Sequence, residues 1–238
     1  TQGKSSTPYF TYLEKKHRYF KIYETGWCKV DSFFNPKLPA EPHREKPTIL
    51  YAPTFTKGIS SAWEMTSVIE KLAKEKEWNW IITFHPKLDD AILRQQYIKL
   101  AEKYTNIDFR SVNKGLETFR ESDILLCDSS SLIVEYMMLD KPVVTFRNTH
   151  PGPFLLDVQT KDEVGPAIER ALTHPNELMQ EIQKYTSYHE SHRDGKNSAR
   201  VLEAVDDFIT YHQGHIKSKP LNIFRKLRLR WQLKYFKW

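Results

Sequence analysis

Ile124-Leu125-Leu126-Cys127-Asp128-Ser129-Ser130-Ser131 is the stretch whose reading decides the fold. Its four apolar residues are too few for a buried helix and fit a buried strand. An acid and three serines follow at once, and then an amphipathic run through Leu139. Serine and aspartate are the residue types that open helices, so the stretch predicts a strand passing directly into a helix through a tight polar turn.

The same alternation extends in both directions. Upstream, Thr48-Ile49-Leu50-Tyr51-Ala52 and Trp80-Ile81-Ile82-Thr83-Phe84 are short apolar runs stopped by Pro53 and by His85-Pro86. Ile107-Asp108-Phe109 is a shorter strand. Between them, Met65, Ile69, Leu72 and Ala73 recur at helical spacing, as do Ile92, Leu93, Tyr97, Leu100 and Ala101. Downstream, Pro142-Val143-Val144-Thr145-Phe146 predicts a fifth strand, and helical patterns cover about 161–173, 175–189 and 197–212. Strands alternating with helices of this length predict an α/β fold, a Rossmann-like parallel sheet with helices on both faces. The divisions expected are a lead-in or interdomain segment over 1–46, a Rossmann-like domain over 47–212, and a basic aromatic C-terminal tail over 213–238. Thr25-Gly26-Trp27 and Phe33-Phe34-Asn35-Pro36 read as a linker packing on the body.

Composition excludes several classes. Hydrophobic residues at 39% and charged residues at 28% describe an ordinary globular chain of 238 residues. No stretch reaches the roughly 18 apolar residues of a membrane-spanning helix. The opening Thr1-Gln2-Gly3-Lys4-Ser5 has neither an initiator Met nor an apolar signal segment, so a preceding domain is expected. Two cysteines, Cys28 and Cys127, make no disulfide framework, and a reducing cytosol is the default. The net charge of +6 belongs to the tail: Lys217 to Trp238 holds eight basic residues and no acid, and 6 − 8 = −2 for the rest. The body therefore gives no electrostatic case for nucleic acid. Basic residues interleaved with Phe224, Leu227, Leu229, Trp231, Leu233, Tyr235, Phe236 and Trp238 suit an anionic membrane surface, or equally a helix packing back on a further domain.

In an open α/β sheet, ligands bind outside the carboxyl ends of the strands. That rule nominates Ala52-Pro53-Thr54, His85-Pro86 and Asp128-Ser129-Ser130-Ser131. Free backbone N–H groups at a helix start favour an anion, and serine hydroxyls add donors without bulk. A single cap needs one serine, not three after an aspartate. Glu135, one turn on, could reach a ribose hydroxyl or be salt-bridged. His85 could contact a phosphate, act as acid or base, or be structural. His43, His174 and His215 read as surface residues. There is no Gly-x-Gly-x-x-Gly, Walker loop, Gly-x-Ser-x-Gly elbow or metal-spaced cluster, which argues against dehydrogenases, ATPases, α/β-hydrolases and zinc enzymes. Nucleotide-activated donors stay open.

Six pieces in order carry a family resemblance: Thr25-Gly26, Ile49 to Phe55, Phe84-His85-Pro86, Asp123 to Ser130, Lys141 to Val144, and Asp194 to Val201. Together they resemble the C-terminal half of the CDP-glycerol glycerophosphotransferase family, the polymerases and primases of teichoic-acid-like polymers. The resemblance implies a GT-B architecture, two Rossmann-like domains with the active cleft between them, of which this chain supplies the donor-binding C-terminal one. It implies that His85 is the catalytic or phosphate-contacting histidine, that Ser129 and Ser130 hold the donor diphosphate, and that Thr54 lines the cleft. Asp128, Ser131 and Glu135 complete the expected donor-binding set. Further implications are a CDP-activated donor used as substrate, no cofactor or metal, and a lipid-linked or polymeric acceptor; with the basic aromatic tail, the expected location is cytoplasmic, peripheral on the inner face of the cell membrane. Two departures stand out. The family's N-terminal domain with its His-Gly motif is not visible, and Glu135 stands where many members have an aspartate. Glutamate there also fits a nucleotide-sugar GT-B glycosyltransferase for capsule or lipopolysaccharide; the shared GT-B frame leaves open an isomerase like the UDP-N-acetylglucosamine 2-epimerases, and the missing domain a non-catalytic nucleotide-binding remnant.

Overall fold

The computed structural model describes residues 1–39, 41, 44–110 and 115–235. His43 and the tail residues Phe236, Lys237 and Trp238, which figure in the expectations above, lie outside the described residues.

The chain begins with α1 (Thr7–His17), a helix within the expected lead-in segment that the sequence pattern does not announce. The helix is amphipathic only weakly and buries no residue, so no apolar stripe marks it. A 3-10 turn follows over Cys28–Phe34, with Val30 and Phe33 buried. The body then runs β1 (Thr48–Tyr51), α2 (Ala62–Glu75), β2 (Asn79–Thr83), α3 (Ala91–Lys103), β3 (Ile107–Arg110), α4 (Leu116–Arg120), β4 (Ile124–Cys127), α5 (Leu132–Met137) and β5 (Val143–Phe146). β6 (Leu156–Val158), α6 (Val164–Leu172), α7 (Asn176–His189), α8 (Asn197–Asp207) and α9 (Ile223–Gln232) complete it. β6 is an addition to the expected strands. It has three residues and only Val158 is buried, too little pattern to read from sequence.

Every strand pair is parallel, in the order β3-β2-β1-β4-β5-β6. Burial on both faces explains why the strands are continuous apolar runs and not alternating ones. On one face, Ile49, Tyr51, Trp80, Ile82, Ile124 and Leu126 pack with α2, α3 and α6. On the other, Leu50, Ala52, Ile81, Leu125, Cys127 and Val143 pack with α5, α7 and the buried Val30 and Phe33 of the 3-10 turn. Each fully buried Ile or Leu contributes on the order of 2 kcal/mol, so the two layers anchor both the sheet and the segment before it. Cys127 is buried, Cys28 is exposed, and neither is disulfide-bonded.

The strand order places a switch point between β1 and β4, which pair directly through Ile49–Ile124, Leu50–Leu125 and Tyr51–Leu126. The chain leaves β1 toward β2 and β3 on one side, then returns through β4 toward β5 and β6 on the other. Loops therefore diverge beyond the carboxyl ends of β1 and β4 and leave a crevice there. Among the described residues no helix is long and apolar enough to cross a membrane.

Candidate functional site

The crevice is a cleft of about 390 Å³ at the carboxyl edge of the sheet. Thr54 and Phe55 after β1, His85 and Pro86 after β2, and Ser129, Ser130, Ser131 and Glu135 after β4 all line it. Residues that are far apart in sequence meet here because parallel strands end at one edge.

Asp128 is the exception among the expected site residues. It is fully buried and does not line the cleft. Its Oδ1 accepts from Thr54 N at 2.8 Å, and its Oδ2 accepts from Ser61 N at 2.8 Å and Ser61 Oγ at 3.0 Å. The expectation that Asp128 binds the donor is corrected accordingly: its carboxylate ties the end of β4 to the loop that leads into α2. Burial pushes its carboxyl above the usual aspartate range, and the donors from Ser61 and Thr54 pull it part of the way back.

The serines behave differently. Ser129 Oγ accepts from Thr149 N at 2.9 Å, and Ser130 Oγ accepts from Leu132 N at 3.3 Å. Asn148 Nδ2 donates to Asp128 O at 2.8 Å, so the loop after β5 braces the turn from behind. Both hydroxyls keep their protons available to donate. Ser131 takes the N-cap position of α5 without a side-chain capping bond. Among the described residues, no protein acceptor takes the backbone N–H of Ser129, Ser130 or Ser131. α5 itself has only six residues, so what the turn can offer an anion is its converging amides and hydroxyls, and not a long helix dipole.

His85 is exposed and lines the same cleft. Its ring lies against Phe55 with centroids 4.4 Å apart, and the Lys87 ammonium sits 5.3 Å from the same Phe55 ring. His85 Nδ1 accepts from Lys87 N at 3.0 Å. In the neutral ring Nδ1 is then the acceptor, and the proton resides on Nε2. This local turn, set by Pro86 between them, makes His85 a hydrogen-bond donor toward whatever faces Nε2.

Glu135 is buried and pairs with Lys29, whose Nζ lies 2.7 Å from Glu135 Oε1. Lys29 also lines the cleft, and sequence reasoning missed it. It comes from the 3-10 turn, 106 residues before its partner, and no local pattern announces such a contact. The segment carrying it is clamped to the far end of the chain. Trp27 N donates to Glu190 Oε2 at 2.7 Å, and Asp31 accepts from Asn197 N, Ser198 N and Ser198 Oγ at the start of α8. Gly26 and Gly195, both at positive φ, make the approach possible. A Cβ at Gly26 would lie 2.2 Å from Asn197 Oδ1, and one at Gly195 would lie 3.0 Å from Asp31 O. Two of the six family-like pieces, Thr25-Gly26 and Asp194 to Val201, are thus the two halves of one clasp.

Lys141, in another of those pieces, is buried, donates to the carbonyls of Phe119, Arg120 and Ser122, and does not itself line the cleft. Among the described residues, no group of three or more His, Cys, Asp or Glu is placed to hold a metal ion. His174 and His215 are exposed, as expected.

The sequence profile of the CDP-glycerol:poly(glycerophosphate) glycerophosphotransferase family matches residues 13–207. The chain belongs to this family. Two curated relatives come from Bacillus spizizenii (strain ATCC 23059 / NRRL B-14472 / W23). A teichoic acid ribitol-phosphate primase is 24% identical over 208 residues, covering 74% of this chain and 48% of the primase. A teichoic acid poly(ribitol-phosphate) polymerase is 28% identical over 185 residues, covering 68% of this chain and 28% of the polymerase. The chain thus spans about half the length of the first and less of the second. Among solved structures, the wall teichoic acid polymerase TagF superposes with a TM-score of 0.57 at 16% identity, over 90% of this chain and 58% of that one. A UDP-N-acetylglucosamine 2-epimerase does so at 0.59 and 19%, over 89% and 57%. This glycerophosphotransferase-family chain therefore has the Rossmann-like α/β fold of one half of a GT-B enzyme.

Proposed function

We propose that the chain is the donor side of a transferase that moves glycerol phosphate, or another polyol phosphate, from a CDP-activated donor to a hydroxyl of a lipid-linked or polymeric cell-envelope acceptor. The carrying observation is that Thr54, His85, Ser129, Ser130, Ser131 and Glu135 line one cleft at the switch point. The family supports the polyol-phosphate class. The named relatives act in ribitol-phosphate polymer synthesis, so CDP-glycerol and CDP-ribitol are the donors to try.

The acceptor hydroxyl attacks the phosphorus bearing the polyol. The bond from that phosphorus to the bridging oxygen breaks, CMP leaves with the electron pair, and the hydroxyl proton passes to a base or to solvent. Such a transfer needs positioning and charge stabilisation. The amides and hydroxyls of Ser129 to Ser131 meet charge growing on the departing CMP. His85, with its proton on Nε2, donates to a phosphate oxygen. Glu135 accepts from a ribose hydroxyl, and Thr54 offers its hydroxyl from the facing loop. On this reading the donor is a substrate and no cofactor or metal takes part.

The test is CMP release from CDP-glycerol, CDP-ribitol and a panel of nucleotide sugars, with acceptor present. CMP appearing only from a CDP-polyol is the expected result. UDP or CMP appearing from a sugar donor would sink the reading in favour of a glycosyltransferase, and turnover of UDP-N-acetylglucosamine without acceptor would favour an epimerase. His85→Ala is expected to lower turnover by about 100-fold with folding intact.

The tail supports a peripheral place on the inner face of an anionic membrane. α9 buries no residue, and Phe224 is 90% and Trp231 74% exposed. At about 100° per residue, Ile223, Phe224, Leu227 and Trp231 share one sector of α9, flanked by Arg228 and Arg230. Co-sedimentation with anionic but not with zwitterionic vesicles is the expected outcome.

A further inference from the structure

Among the described residues lining the cleft, Lys29 and His85 are the basic ones and Glu135 is the acidic one. The Glu135 side chain is 7% exposed and that of Lys29 is 57% exposed. Glu135 Oε1 faces the ammonium at 2.7 Å, whereas Oε2 has no protein donor among the described residues. A nearly buried carboxylate beside Ser129 to Ser131 would repel any diphosphate placed at that turn. It is tolerable there only if its charge is cancelled.

We propose that Lys29 is a positioning residue of the donor site, which neutralises Glu135 so that the cleft accepts a nucleoside diphosphate while Glu135 Oε2 stays free to accept a hydroxyl of the same ligand. The inference rests on the donor reading given above and assigns its charge balance to the segment before β1. That segment cannot drift, because Trp27 is held by Glu190 and Asp31 by the start of α8, two residues to either side of Lys29. The clasp between the two ends of the chain thereby has a task at the cleft: it sets the ammonium against Glu135.

The experiment measures binding of CDP and of inorganic pyrophosphate to the full chain by calorimetry. The variants are Lys29→Met, Lys29→Arg, Glu135→Gln and the double variant Lys29→Met/Glu135→Gln. Lys29→Met is expected to weaken both probes by about 10-fold or more, and Lys29→Arg to stay within about 3-fold of the parent. Glu135→Gln is expected to bind pyrophosphate at least as well as the parent. The double variant is expected to recover pyrophosphate binding to within about 3-fold, because no charge is left to cancel. A double variant as weak as Lys29→Met would overturn the proposal, since Lys29 would then act on the anion without working through Glu135. Parental affinity in Lys29→Met would overturn it too and leave the donor reading standing. A parent protein that binds neither probe would remove both. Should Lys29→Met fail to fold, the double variant and Glu135→Gln against Lys29→Arg carry the same comparison.

Discussion

Asp128 and Asp31 hold the same donor set in two different places. Asp128 accepts from the backbone of Thr54 and Ser61 and from the Ser61 hydroxyl, at 2.8, 2.8 and 3.0 Å. Asp31 accepts from the backbone of Asn197 and Ser198 and from the Ser198 hydroxyl, at 2.9, 2.8 and 2.7 Å. The first lies fully buried behind the serine turn. The second is only partly buried, where the segment before β1 meets α8. Burial pushes Asp128 above the ordinary aspartate value of 3.8, and its three donors do not reverse this. At Asp31 burial also pushes up, but the bonds from Ser198 and Asn197 outweigh it and the carboxyl ends below 3.8. Equal hydrogen bonds do not make equal ion sites, because solvent decides how much the charge itself costs.

Removing each carboxylate should separate the two clasps by size and by consequence. Asp128→Ala orphans the amides of buried Ser61 and half-buried Thr54, and each orphaned buried donor costs about 1–3 kcal/mol. A loss of about 3 kcal/mol in urea unfolding is expected, together with loss of CDP binding as the loop from Pro53 to Ser61 comes away. A loss under about 1 kcal/mol would mean that packing, not Asp128, holds that loop. Asp31→Ala uncovers amides that water can reach, so the stability loss should be nearer the ~1 kcal/mol of a lost helix cap. Its sharper effect is expected at a distance, with CDP affinity falling about as far as in Lys29→Met. Unchanged affinity in Asp31→Ala would show that the clasp does not position the ammonium.

These two aspartates also mark the limit of what the chain's sequence discloses. Ile124 to Cys127 could be read as a strand because burial on both faces leaves an uninterrupted apolar run, and the place of its carboxyl end followed from topology. Thr54, His85, Ser129, Ser130, Ser131 and Glu135 were legible as a group for the same reason. Asp128 was assigned with its neighbours because one sequence step cannot tell a carboxylate facing the cleft from one facing the adjoining loop. Lys29 and Asp31 were invisible, since their partners lie 106 and 166 or more residues away and only the packed chain brings them together. α1 and β6 escaped because neither buries enough to leave a pattern. Motif order was informative beyond what motif chemistry explained: Thr25-Gly26 and Asp194 to Val201 belong together as a joint, not as ligands.

The smallest expected effect is the most direct test of the contrast, because it changes only protons. Asp128 binds its proton more tightly folded than unfolded, so between pH 3.8 and its raised value the native state holds more protons and stability falls as pH rises. The advantage of the parent over Asp128→Ala should therefore be greatest below pH 3.8 and shrink as pH climbs through the raised value. Asp31 has the reverse order. Its stabilisation is present above pH 3.8 and is lost as pH falls through its lowered value, so the advantage of the parent over Asp31→Ala should shrink in acid. Unfolding in urea from about pH 3 to about pH 7 for the parent and both variants gives two difference curves. Slopes of opposite sign are expected. Two curves of the same sign would mean that burial does not distinguish the clasp behind the cleft from the clasp at its edge.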